Sequence, residues 1–256
     1  MSVALSHASF GSGPPLLILH GLFGSHGNWA AVARRLGEWR TVYVLDLRNH
    51  GASPWDDRMD YPAMAEDVAA FVADHGIARP AILGHSMGGK VAMTLALADP
   101  ALLERLVVVD IAPVARRPTH LEEAEAMRSI DLTKVTRRGD ADAQMRLRIE
   151  DPAVRAFLLQ NLVAGSQGMH WRLNLEAIVA NMAELAGFPA FPPGTAYRGS
   201  TLVVRGANSA YIRDADRPAF AQLFPDYRLV TIEGAGHWLH AERFEEFLAA
   251  VTPFLR

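Results

Sequence analysis

The sequence predicts an α/β fold, with a mostly parallel central sheet, flanking helices and one helical insertion. Three observations carry this. Continuous apolar runs three to five residues long recur through the first 112 residues, as in strands buried on both faces of a parallel sheet. Segments of helical period lie between them. The alternation stops after Pro113 and resumes near Thr201.

The expected strands are Leu16–Leu19, Thr41–Leu45, Ala81–Leu83 and Leu106–Val109, then Thr201–Val204 and Arg228–Ile232. Met64, Val68, Phe71 and Val72 repeat at helical spacing until Gly76. Val91, Leu95 and Ala98 form a second helical stripe, ended by Asp99-Pro100. Such strand–helix alternation favours right-handed crossovers in a single sheet. From Val114 to Ala196 the pattern holds no convincing strand. Asp151-Pro152 reads as an N-cap followed by a first-turn proline. Leu175, Ile178, Val179 and Met182 mark one more helix, closed by Gly187. Phe244, Phe247, Leu248 and Val251 belong to the last. The expected division is therefore a core of residues 1–113 and 197–256, with a helical cap at 114–196.

Composition narrows the function. The 256 residues are 50% hydrophobic and 21% charged, an ordinary globular balance that excludes a disordered chain. Cysteine is absent, which removes disulfides, thiolate metal sites and cysteine nucleophiles. A net charge of −3 provides no field to recruit nucleic acid or an anionic membrane, so neither is expected as a partner. Residues Met1–Gly13 do not read as a signal peptide, and no apolar run is long enough to span a bilayer. A cytoplasmic protein is expected.

The sharpest motif is Gly84-His85-Ser86-Met87-Gly88, a G-x-S-x-G string between a strand and a helix. A nucleophile on a tight strand-to-helix turn needs small neighbours, and the helix behind it favours developing negative charge. The overlapping Gly84-x4-Gly89-Lys90 is a poor phosphate loop, because Val91 stands where a magnesium-binding hydroxyl would be. Serine needs a base. Of ten histidines, His237 follows a strand through Gly234-Ala235-Gly236 and is the candidate, with His240 the lesser alternative. His85 shares the serine's turn and is expected to pack. An oxyanion requires two preorganised N–H groups. Met87 supplies one, and the loop His20-Gly21-Leu22-Phe23-Gly24 the other, through Leu22 or, failing that, Phe23. Phe23 and Trp238 are candidates for the substrate pocket. Metal ligation is not expected, since His237-x-x-His240 has no companion carboxylates.

These three strings together resemble the alpha/beta-hydrolase superfamily, in the expected order along the chain. Asp46-Leu47-Arg48-Asn49-His50-Gly51-Ala52-Ser53, Asp110-Ile111-Ala112-Pro113 and Gly206-Ala207-Asn208-Ser209-Ala210-Tyr211 are similar to the YbfF-like bacterial esterases. The resemblance implies a cofactor-free serine esterase acting on small-molecule esters of short acyl chains, or on acyl-CoA thioesters, under a helical lid. Other uses of the same residues are carbon–carbon hydrolysis, peptide cleavage, perhydrolysis and non-catalytic binding of a small molecule.

The acid of the triad is the contested member. Most superfamily members carry it after the strand matching Thr201–Val204, where this chain has Asn208, an amide without the charge to stabilise an imidazolium. Asp110, at the end of the strand following the serine's, matches the YbfF-like position. Asp214 is the alternative. The polar loop Asp46–Ser53 is expected to be a hydrogen-bonded scaffold. Arg116-Arg117 and Arg137-Arg138 are expected on solvated faces, with contact to CoA-type phosphates as the other reading.

Overall fold

The protein is described from a computed structural model over residues 1–166 and 168–256. In chain order the strands are β1 (His7–Phe10), β2 (Pro15–Leu19), β3 (Thr41–Leu45), β4 (Ala81–His85), β5 (Leu106–Val109), β6 (Leu162–Gly165), β7 (Gly168–Trp171), β8 (Thr201–Gly206) and β9 (Tyr227–Ile232). A seven-stranded sheet takes the order β1-β3-β2-β4-β5-β8-β9. β1 pairs antiparallel with β3, and every other pairing in this sheet is parallel.

The continuous apolar runs exist because both faces of the sheet are covered. Leu17, Leu19, Ile82, Val108 and Val203 enter one buried cluster with the helices Tyr61–Asp74 and Met87–Ala98. Their neighbours Leu16, Ile18, Leu83, Val107 and Val204 enter the other, with Ala30–Leu36 and Phe244–Leu255. Alternate residues of a strand point to opposite faces, so each run feeds both clusters. β1 was not singled out by pattern because it is an edge strand of four residues alternating between exposed and half-buried.

The order of winding positions the site. From β2 the chain moves outward to β3, then returns to place β4 on the other side of β2, with Leu19 beside Gly84. The sheet reverses direction between β2 and β4, and loops beyond the carboxyl ends of strands at such a reversal border a crevice. His20–Gly24 follows β2 and Ser86 follows β4, so both flank it.

The segment 114–196, of which residue 167 lies outside the described residues, departs from expectation twice. It is not wholly helical, since β6 and β7 form an antiparallel hairpin with Leu162 opposite Trp171. Its strands carry Gly165 and Gly168 at their facing ends and hold no four-residue apolar run such as that of β5, so neither stands out in sequence. The helix expected across Leu175–Met182 is two segments, Leu175–Ala180 and Met182–Ala186. Asn181 separates them, its side-chain amide donating to the Asp57 and Ala177 carbonyls at 2.8 Å each. Asp151 caps the helix Pro152–Leu158 as expected, accepting from the Ala153 N–H at 2.8 Å. The segment is fastened to two helices of the core by the Tyr61 hydroxyl, which donates to the Leu185 carbonyl at 2.6 Å, and by buried Lys90, whose ammonium donates to the Ala186 carbonyl at 3.2 Å. Burial pushes the Lys90 ammonium down to about 8, with nearby Arg116 adding to the effect.

Candidate active site

Ser86 sits on a strained turn. Its φ of 51° lies in the left-handed region, where non-glycine residues are uncommon, and Met87 begins a helix immediately after it. The two flanking glycines make the turn possible by close approach. A Cβ on Gly84 would overlap the Gly88 carbonyl, and one on Gly88 would stand 2.5 Å from the Leu19 carbonyl oxygen. The Ser86 N–H donates to the Val109 carbonyl at 2.9 Å, tying the turn to β5. Such strain persists where the surroundings over-determine it.

His237 Nδ1 lies 2.8 Å from Asp110 Oδ2. With Nδ1–H donating to the carboxylate, Nε2 is left as the acceptor. Asp110 is fully buried and itself adopts a φ of 51°. Its charge is met from three directions. Oδ2 also accepts from the Ser209 hydroxyl, and Oδ1 accepts from the Gly206 N–H at 3.1 Å. Hydrogen bonds of this kind are what a buried carboxylate requires.

The loop carrying His237 is fixed on both sides. The Glu242 carboxylate accepts from the Gly236 N–H and from the Trp238 N–H, the latter at 3.1 Å. His85 Nε2–H donates to the His237 carbonyl at 2.9 Å. Burial, then the neighbouring His237 and His240, push the His85 imidazole well below its ordinary value. His85 therefore packs, as expected. His240 is buried and stacks on Trp29, with ring centroids 4.0 Å apart. Burial, then the neighbouring His237, push it down to about 3.

The other candidates separate cleanly. Asp214 pairs with Arg205 and Arg217, and its side chain is 77% exposed. Asn208 contributes a backbone N–H to the Ala235 carbonyl at 2.9 Å. The Phe23 N–H already donates to His50 Nε2 at 3.2 Å, whereas no acceptor among the described residues takes the Leu22 or Met87 N–H. The Asp46–Ser53 loop is a scaffold. Asp46 accepts from the His26 backbone and ring, and Arg48 grips Asp67 at 2.6 and 2.8 Å. Arg116 pairs with Asp216, Arg137 with Asp140, and Arg138 donates to the Leu162 carbonyl.

Ser86, His237, Leu22, Phe23 and Trp238 all line one cavity of about 680 Å³. Residues of the insertion close part of it, including His120, Glu123 and Phe157, whose ring lies 5.3 Å from that of Trp238. Sequence reasoning missed four residues here. For Ser209 the available signal is a hydroxyl three residues past β8. Tyr211 lies flat against His237, with centroids 3.9 Å apart and 20° between the planes. Its hydroxyl meets His120 Nε2 at 2.8 Å, and His120 Nδ1 faces Glu123 at 3.4 Å. No local pattern announces those contacts.

Comparison with known proteins agrees with this architecture. A family profile described as the alpha/beta hydrolase fold matches residues 14–244. The sn-1-specific diacylglycerol lipase ABHD11 of Xenopus laevis is 42% identical over 258 residues, covering 95% of this chain and 80% of the relative. Esterase YbfF of Escherichia coli is 35% identical over 244 residues, covering 94% and 92%. A solved marine microorganism esterase superposes with a TM-score of 0.96 at 37% identity, covering 99% of this chain and all of that one. The strained serine turn, the sheet order and the extent of these matches lead to one conclusion: the chain belongs to the alpha/beta-hydrolase family and resembles its YbfF-like esterases.

Proposed function

We propose that the protein is a serine hydrolase that cleaves carboxylic esters of short acyl chains through an acyl-serine intermediate. The observation that supports this reading most is the His237–Asp110 pair, 2.8 Å apart, whose His237 lines the same cavity as Ser86. Relatives named as a lipase and an esterase, at 42% and 35% identity, point the same way. Short acyl thioesters, including acyl-CoA, offer the same carbonyl and form the second substrate class. Residues 114–196 act as the cap.

In this mechanism Ser86 Oγ attacks the acyl carbon while His237 Nε2 takes its proton. Asp110 holds the ring in the required tautomer and stabilises the imidazolium. The Leu22 and Met87 N–H groups hold the oxyanion, at the positive end of the helix Met87–Ala98. Collapse of the tetrahedral intermediate expels the alcohol, which leaves with the proton from His237. Water then adds to the acyl-serine by the same route, releasing the acid and restoring Ser86. Phe23, Trp238 and Phe157 present an apolar wall to the acyl chain.

Turnover of 4-nitrophenyl acetate and butyrate by the wild type and by Ser86→Ala tests this. The expected result is activity in the wild type that falls by at least about 10⁴-fold in the variant. A wild type inert toward both esters, or a variant that retains turnover, overturns it.

A further inference from the structure

Apart from its histidines, the ionisable residues that line the cavity are acidic. Among the described residues that line it there is no lysine or arginine, but there are two glutamates, Glu123 and Glu242. Glu242 is already committed to the Gly236 and Trp238 N–H groups. Glu123 is not. One of its oxygens faces His120 at 3.4 Å, while Oε2 is buried with no hydrogen-bond partner among the described residues.

Glu123 is also held in place. His120 Nδ1–H directed at Glu123 leaves Nε2 to accept the Tyr211 hydroxyl at 2.8 Å, and the Tyr211 ring rests on His237. The carboxylate is thus two side chains from the base. Burial opposes its ionisation, but the His120 contact and the Glu123 N–H outweigh this and hold the carboxyl below its usual range. At neutral pH this cavity-lining side chain is therefore an anion. A charge in a partly enclosed site acts more strongly than one in water, because the intervening dielectric is lower.

We infer that Glu123 is a specificity-determining residue that selects substrates by charge, favouring acyl groups that are neutral or cationic and rejecting those that end in a carboxylate. The inference rests on the hydrolase reading for its substrate class, but not for the selection itself, which binding alone reports.

Three esters sharing one leaving group form the test: 4-nitrophenyl butyrate, 4-nitrophenyl hemisuccinate and 4-nitrophenyl 4-(trimethylammonio)butyrate. Binding to Ser86→Ala is read by tryptophan fluorescence, since Trp29 and Trp238 line the cavity. The hemisuccinate is expected to bind at least about tenfold more weakly than the cationic ester. Adding Glu123→Gln, which keeps the shape, should narrow that ratio by about tenfold while butyrate binding changes less than threefold. In the Ser86-intact enzyme the kcat/KM ratios should follow the same order. Equal binding of the three esters, or a ratio unmoved by Glu123→Gln with butyrate binding intact, overturns the inference. Charge-ordered binding without turnover in the wild type sustains it and overturns the hydrolase reading instead.

Discussion

His237 and Asp110 stand 127 positions apart in the chain, yet their Nδ1 and Oδ2 atoms are 2.8 Å apart. The carboxylate departs from β5 and the imidazole from the loop after β9. β8 lies between these two strands in the sheet and adds two more donors to the same carboxylate, through Gly206 and Ser209.

This relationship makes Asp110 the acid to replace. Asp110→Asn is the clean probe, because asparagine tolerates the left-handed backbone that Asp110 adopts. On the proposed mechanism kcat should fall by about 10⁴, the scale of a lost triad carboxylate. Asp214→Asn, at an exposed ion pair, should leave kcat within about twofold of wild type. Steady-state kinetics on 4-nitrophenyl butyrate decide it, and the reverse pattern would reassign the acid.

Ser209 offers a graded counterpart. Ser209→Ala removes one hydroxyl donor from Asp110 but leaves the Gly206 N–H and His237 in place. A hydrogen bond to a charged group contributes about 1.5–3 kcal/mol. If that support is expressed in the transition state, kcat drops by about tenfold to a hundredfold with KM little changed. A fall in KM-limited binding with unchanged kcat would show that Ser209 serves the pocket rather than the acid.

Acid should destabilise the fold through its buried histidines, His50 and His240 among them. His50 and His240 are both buried and both pushed down to about 3. Below the ordinary histidine value of 6.5 the unfolded chain takes up a proton at each position that the folded protein refuses. Their stabilising effect is therefore complete above about pH 6.5 and is lost as pH falls toward 3, by about 1.4 kcal/mol per pH unit for each. Urea unfolding followed from pH 7 to pH 4 should show this slope. His240→Phe, which preserves the stack on Trp29, should remove one histidine's share. An unchanged pH dependence in that variant would contradict the assignment.

Much of this protein was written locally. The six apolar strands of the core, the helices beginning near Tyr61 and Met87, and the placement of Ser86 after a strand all follow from short-range pattern. Burial on two faces demands apolar residues at every strand position, and a tight turn demands glycines, so both leave a legible trace. The β6–β7 hairpin left none, since its strands are largely exposed or half-buried and lack the four-residue apolar run that reveals β5. The break at Asn181 was hidden for a different reason. The helical spacing continues through it, and the side-chain contacts of Asn181 with Asp57 and Met59 lie across the fold.

The candidate site divides along the same line. By itself the sequence determined the residue types, their order and the loops that carry them, because those depend on neighbours within a few positions. It left open whether Asp110 or Asp214 faces His237, and whether Leu22 or Phe23 offers a free N–H. Tertiary structure alone decided these, since each is a question of which groups meet across strands far apart in the chain. Asp214 is held at the surface by Arg205 and Arg217, and the Phe23 N–H is taken by His50. The Glu123–His120–Tyr211 chain against His237 belongs wholly to the second category. Its members come from the insertion and from the loop after β8, and only the packing of one over the other brings them within hydrogen-bonding distance.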